Sequence, residues 1–132
     1  MQYFDVSTSR FDGGAAVIAI EGELDRSTID RVRTPAQEAV ATGRPLVFDL
    51  SACTFVDSSA LRLVLQVRRA LDETAQAVPM AIVAGSSPVR KMFSITAIDQ
   101  SVPLFDTRAE AQRWLRSPDA ARQAATAPAS LS

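Results

Sequence analysis

Asp57-Ser58-Ser59 sets one carboxylate and two hydroxyls side by side, directly ahead of a segment with helical apolar spacing. A serine hydroxyl in such a run serves as a nucleophile, a helix cap or the acceptor of a phosphoryl group. Nucleophilic use needs a base. The chain has no histidine, which excludes a Ser-His-Asp arrangement and histidine-ligated zinc. Lys91 is the only lysine, the single candidate for a Ser-Lys dyad, and no Gly-x-x-x-x-Gly-Lys loop is present. Carboxylates, hydroxyls and arginines alone would have to carry any catalysis, so the chain is read as no enzyme, without cofactor or metal.

The plain use of Asp57-Ser58-Ser59 is a helix cap, worth about 1 kcal/mol. One cap needs one such side chain, however, and the remaining hydroxyls are surplus to it. Phe55-Val56 alongside ties the run to the core, so the Ser58 hydroxyl is expected at a rigid, solvent-facing corner.

The elements that would position this corner follow from composition and periodicity. The chain has 132 residues, of which 47% are apolar and 22% charged, which suits one domain with one core. A net charge of −1 gives no pull toward nucleic acid or an anionic membrane. Cys53 is alone, which rules out an internal disulfide and fits a reducing compartment. No basic-then-apolar leader opens the chain, and no apolar run approaches the ~18 residues of a membrane span, so a cytoplasmic, soluble protein is expected.

Tyr3–Phe11 alternates as a strand, Asp12-Gly13-Gly14 reads as a hairpin turn, and Ala15–Glu21 returns antiparallel. A helix is expected from Ser27 or Thr28, carrying Ile29, Val32, Ala36, Ala39 and Val40, with a kink at Pro35 or a restart at Thr34. Gly43 ends it. Pro45–Leu50 is a continuous apolar strand suited to burial on both faces, and a short connection over Ser51–Val56 leads to a helix over Ser59–Leu71. Val78–Ala84 is a further strand, Gly85-Ser86-Ser87-Pro88 opens a short helix ending near Ala97, and Val102–Asp106 is the last strand. Thr107 and Glu110 make a capping box for a helix with Ala111, Trp114 and Leu115. Residues 1–116 form the expected domain. The Ala- and Ser-rich tail 117–132 is expected to be mobile, although Ser117-Pro118-Asp119 has the composition of a helix start.

Strand–helix alternation after an opening hairpin gives an α/β fold with a mixed, mainly parallel sheet. Functional groups of such sheets gather beyond the carboxyl ends of the parallel strands. The loop Gly22-Glu23-Leu24-Asp25 and the loop holding Ser58 follow neighbouring parallel strands, so Glu23, Asp25 and Ser58 are expected on one edge. A phosphate on Ser58 would meet open backbone N–H groups of the helix start, worth about 0.3–1 kcal/mol, and repulsion from Asp57 and Asp25.

Gly22-Glu23-Leu24-Asp25 with Thr28, then Leu46-Val47-Phe48-Asp49-Leu50-Ser51, then Phe55-Val56-Asp57-Ser58-Ser59-Ala60-Leu61, together resemble the STAS domain. The chain is most similar to the bacterial anti-sigma factor antagonists over about residues 4–116. The resemblance implies about five strands and about four helices packed mainly on one face. It also implies that Ser58 is phosphorylated by the anti-sigma factor, a serine kinase that binds ATP, and that a phosphatase reverses the step. The unphosphorylated antagonist binds that kinase and frees a sigma factor. Glu23, Asp25, Thr28, Asp57, Ser58, Ser59 and Ala60 are carried over as the partner-binding surface. The family usually has glycine where this chain has Ala60. In a helix alanine is favoured by about 0.8–1 kcal/mol, and its methyl group is expected beside the acceptor.

A second reading is a STAS subunit regulating a lipid-transport ABC or other membrane transport complex. A receiver domain with Asp57 as acceptor is excluded. It needs an acidic pair after its first strand and a lysine after its last, whereas Lys91 follows the fourth. Ala60, Leu63, Val67 and Ala70 read as a packed stripe and Leu65 as core. Arg62, Arg68, Arg69, Arg90 and Lys91 read as a solvated basic face, and Cys53 as a small buried side chain.

Overall fold

Alternation along three neighbouring strands sorts the apolar residues into two layers. Ile18 and Ile20, Leu46, Phe48 and Leu50, and Met80, Ile82 and Ala84 point to one side, while Val17, Val47, Ala81 and Val83 point to the other. The computed structural model describes residues 3–12, 14–74, 77–85 and 87–120. Five strands form one sheet in chain order: β1 (Phe4–Arg10), β2 (Ala16–Leu24), β3 (Leu46–Val56), β4 (Met80–Val83) and β5 (Leu104–Phe105). β1 and β2 are antiparallel, and every later pair is parallel. The helices are α1 (Asp30–Ala41), α2 (Ser58–Asp72), α3 (Ser87–Ile95) and α4 (Arg108–Leu115), with a 3-10 turn at Ile98–Gln100.

The larger layer takes Val32 and Ala36 of α1, Leu61, Val64 and Leu71 of α2, and Val89 and Phe93 of α3. The smaller layer takes Ala111, Trp114 and Leu115 of α4. Three helices therefore cover one face and one covers the other, the mixed five-strand α/β arrangement expected. Full burial of a side chain such as Phe48 or Leu50 contributes about 1.5–3 kcal/mol, so the larger layer dominates the stability.

Asp49 breaks the apolar run of β3 on the α4 side, where it is 6% exposed and pairs with Arg108. Burial pushes its carboxyl up, but hydrogen bonds from Ser51 and the Arg108 guanidinium outweigh burial and hold it below the usual carboxylate range. This contribution is present above the ordinary carboxylate pKa and is lost as pH falls through the lowered value.

Several boundaries differ from those the sequence predicts. β3 does not end at Leu50, because Ala52, Cys53, Phe55 and Val56 pair with Glu21, Gly22, Glu23 and Leu24 through register shifts. Gly22 and Leu24 thus belong to β2 rather than to a loop. β4 and β5 are shorter than expected because Pro79 and Pro103, lacking an N–H, stand at their starts. α1 begins after a turn, at Asp30, with no side-chain cap, and runs through Pro35 without restarting at Thr34. Gly43 follows it at φ +70°, and its N–H donates to Val40 O. The Thr107–Glu110 capping box is formed as expected. The Ser117 hydroxyl accepts from Ala120 N at 3.4 Å, and Ala120 is buried. The rest of the expected tail, 121–132, and Gly13 of the hairpin turn lie outside the described residues.

Candidate functional site

Parallel pairing of β2 and β3 brings their carboxyl ends together, Leu24 opposite Val56. The residue after β3, Asp57, donates its N–H to Leu24 O at 3.3 Å and turns directly into α2. Its carboxylate is the N-cap: Oδ1 accepts from Ala60 N at 3.2 Å. Oδ2 accepts from Arg26 N at 3.1 Å, across 31 residues of sequence. One side chain therefore clamps the head of α2 to the turn after β2.

That turn is built the same way. Asp25 Oδ1 accepts from Ser27 N at 2.9 Å and Ser27 Oγ at 2.6 Å. The Ser27 hydroxyl is the main cause that holds the Asp25 carboxyl below its ordinary range. Thr28 Oγ1 accepts from Asp25 N at 3.0 Å and donates to Glu23 O at 2.8 Å, closing the loop on itself. Glu23 is half-buried at the end of β2. Asp25, Thr28 and Asp57 therefore form the frame of the corner.

Ser58 is the first residue of α2 and is exposed. Among the described residues its hydroxyl makes no hydrogen bond, and no group nearby is placed to take its proton. Ser59 is half-buried, and Ala60 is fully buried. The Ala60 methyl therefore packs into the core beneath the corner and does not stand beside the acceptor, contrary to expectation. Cys53 is 1% exposed, donates to Phe55 O at 3.3 Å, and burial pushes its thiol up. It is a core side chain. No group of three or more metal-ligating side chains occurs among the described residues.

The structure thus brings Glu23, Asp25, Thr28, Asp57, Ser58, Ser59 and Ala60 to one edge. It disperses the expected basic face. Arg68 is buried, pairs with Asp72 and donates to Ser101 O at 3.3 Å. Arg90 donates to Ala84 O and Asp106, both at 2.8 Å. Leu63 and Val67 pack as expected, but Leu65 is 43% exposed and is not core. Sequence reasoning missed Arg26, whose N–H reaches the Asp57 carboxylate only because the turn after β2 meets the head of α2.

Asp57→Ala removes two acceptors and is expected to lower the unfolding free energy by about 1–2 kcal/mol in urea denaturation. Asp57→Asn keeps one carbonyl acceptor and is expected to lose about half as much. Equal stability of Asp57→Ala and wild type would disprove the clamp.

With this geometry in place, known proteins provide a comparison. The anti-sigma-F factor antagonist RsfB of Mycobacterium tuberculosis is 31% identical over 104 residues, covering 78% of this chain and 83% of that protein. An anti-sigma factor antagonist from Mycobacterium paratuberculosis superposes with a TM-score of 0.78 at 24% identity, covering 87% of this chain and 96% of that one. The anti-sigma factor antagonist SpoIIAA in its unphosphorylated form superposes at 0.66 with 25% identity, covering 86% and 99%. The STAS domain family matches residues 8–111, which span both layers of the core and the whole Ser58 corner, and the chain belongs to that family.

Proposed function

We propose that this chain is an anti-sigma factor antagonist that binds an anti-sigma factor serine kinase through the Ser58 corner and is switched off by phosphorylation of Ser58. The observation that carries this reading is an exposed, uncommitted serine hydroxyl on a corner fixed by Asp57 and Asp25. Its relatives support it: RsfB and SpoIIAA are both antagonists of anti-sigma factors, and the SpoIIAA structure is that of an unphosphorylated form.

In the proposed reaction the Ser58 Oγ attacks the γ-phosphorus of ATP held by the kinase. The bond to the bridging oxygen breaks, ADP leaves, and the hydroxyl proton passes to a base of the kinase. A phosphatase returns the hydroxyl by hydrolysing the ester to inorganic phosphate. The domain is substrate and ligand in this scheme, with no turnover of its own. Glu23 and Ser59 flank the acceptor as contact residues, Asp25, Thr28 and Asp57 hold it in place, and Ala60 supports it from below. The setting is cytoplasmic, where sigma factors act.

Phosphorylation adds a charge of about −1.5 to −2 where the partner docks. A loss of about 2–3 kcal/mol weakens binding roughly 30- to 150-fold, enough to release the partner. Titration calorimetry with the cognate anti-sigma factor, together with a Mg-ATP labelling assay, tests this. Ser58→Ala is expected to bind and to take no label, Ser58→Glu to fold and bind poorly, and Ser59→Ala to be labelled normally. Full labelling of Ser58→Ala, or wild-type affinity of Ser58→Glu, would overturn the assignment.

A further inference from the structure

Beside the Ser58 corner, between the start of α1 and the start of α2, lies a cleft of about 320 Å³ lined by Arg26, Asp30, Arg33, Ser59 and Arg62 among others. Three guanidiniums share it with one carboxylate. Arg33 is already paired with Asp30 at 3.4 Å. Among the described residues the Arg26 and Arg62 guanidiniums make no hydrogen bond or ion pair, and both residues are exposed. Arginine presents a planar fork of N–H donors that matches a phosphate, so two uncommitted forks in one cleft make a fitting receptor for a phosphate monoester.

The nearest source of that monoester is one helical turn away. Ser58 and Arg62 stand four residues apart on α2, which places their side chains on one face. The backbone of Arg26 is held against the head of α2 by the bond from its N–H to Asp57 Oδ2. The acids of the corner are committed: Asp57 accepts from two backbone N–H groups, and Asp25 from Ser27. In the cleft beside the corner, the charged groups left without a hydrogen bond or ion pair among the described residues are the Arg26 and Arg62 guanidiniums.

We propose that this cleft seats the chain's own phosphate: Arg62 and Arg26 close on phosphoserine 58 and hold it against the domain. The inference rests on phosphorylation of Ser58, and it adds a second way to release a partner. The phosphate fills a basic cleft that the unphosphorylated protein leaves open, and it ties down two side chains at the docking edge. Asp57, Asp25 and Glu23 oppose the phosphate, and Asp30 competes for Arg33, so the two free arginines decide the balance.

The full chain with phosphoserine installed at position 58 during translation tests this without any kinase or partner. Its phosphate is titrated by phosphorus NMR, and the arginine Nε–H signals are followed by nitrogen NMR. The second phosphate ionisation, ordinarily near 6, is expected to be higher by about half a unit in the Arg26→Gln/Arg62→Gln variant than in the phosphorylated wild type. Arg62→Lys with Arg26 intact is expected to fall between them. In the wild type the Nε–H signals of Arg26 and Arg62 are expected to move on phosphorylation, a readout that needs no substitution. An unchanged titration in the double variant, or Nε–H signals that ignore the phosphate, would overturn the proposal. If phosphoserine 58 still weakens partner binding in that case, the switch stands and only the seat for the phosphate fails.

Discussion

Asp72→Ala is expected to lower the unfolding free energy by about 3–5 kcal/mol, a large share of the roughly 5–15 kcal/mol that holds a domain together. Arg68 and Asp72, one turn apart at the end of α2, have side chains only 9% and 4% exposed. Removing the acid leaves a guanidinium buried without its counter-charge, with its Nε–H still bonded to Ser101 O. The pair is nevertheless costly to keep. Asp72 Oδ2 is buried without a hydrogen bond, and burial pushes the carboxyl above its ordinary value although Arg68 pulls it back. An acid whose folded pKa is raised binds its proton more tightly in the native state, so this group favours folding more as pH falls through the raised value. Arg68→Met/Asp72→Leu is therefore expected to match or exceed wild-type stability. Urea denaturation of both proteins at neutral pH checks the pair. A double variant as unstable as Asp72→Ala would show that the charges themselves hold the helix.

Gly22→Ala is expected to cost about 3 kcal/mol. Gly22 has φ +97°, and a Cβ built there would lie 2.2 Å from the carbonyl oxygen of Tyr3. That oxygen belongs to backbone leading into β1, so relief requires β1 and β2 to part. The register shift at Gly22–Glu23 would move with them, carrying Glu23 and the Asp25 turn. Gly43 supplies the control. It has φ +70° but nothing within 4 Å of a built Cβ, so Gly43→Ala is expected to cost only about 1–2 kcal/mol. Thermal unfolding of the two variants separates conformation from collision, and equal losses would refute the clash.

The sequence showed the order of the elements, the opening hairpin and the Thr107–Glu110 box because these depend on local spacing and turn chemistry. Ser58 at the head of α2 and Asp25 on the same edge followed from topology, since one crossover helix makes β2 and β3 parallel. What stayed hidden depends on long-range contact. Ser51-Ala52-Cys53-Thr54 has the polar look of a loop, yet pairing with β2 carries it on as strand. Arg68 looks like a surface residue until Asp72 and Ser101 O are seen around it. Leu65 fits an apolar stripe on α2, but α2 rotates it outward. The role of Asp57 was half legible. Its cap is local, whereas its bond to Arg26 exists only because two distant turns meet.

The chain-ordered sheet bears on how the protein is made. Each strand after β1 finds a hydrogen-bonded neighbour in the strand synthesised just before it. Only β1 has to wait for a later strand, and its partner β2 follows directly across the hairpin turn. The hairpin comes first, α1 carries the chain across to β3, and α2 follows. The hydrogen bonds that Asp25, Thr28 and Asp57 make in the Ser58 corner join residues of β2, its following turn and the head of α2, which all emerge before β4 and β5. Translation therefore lays down the Ser58 corner first and completes the hydrophobic layers behind it.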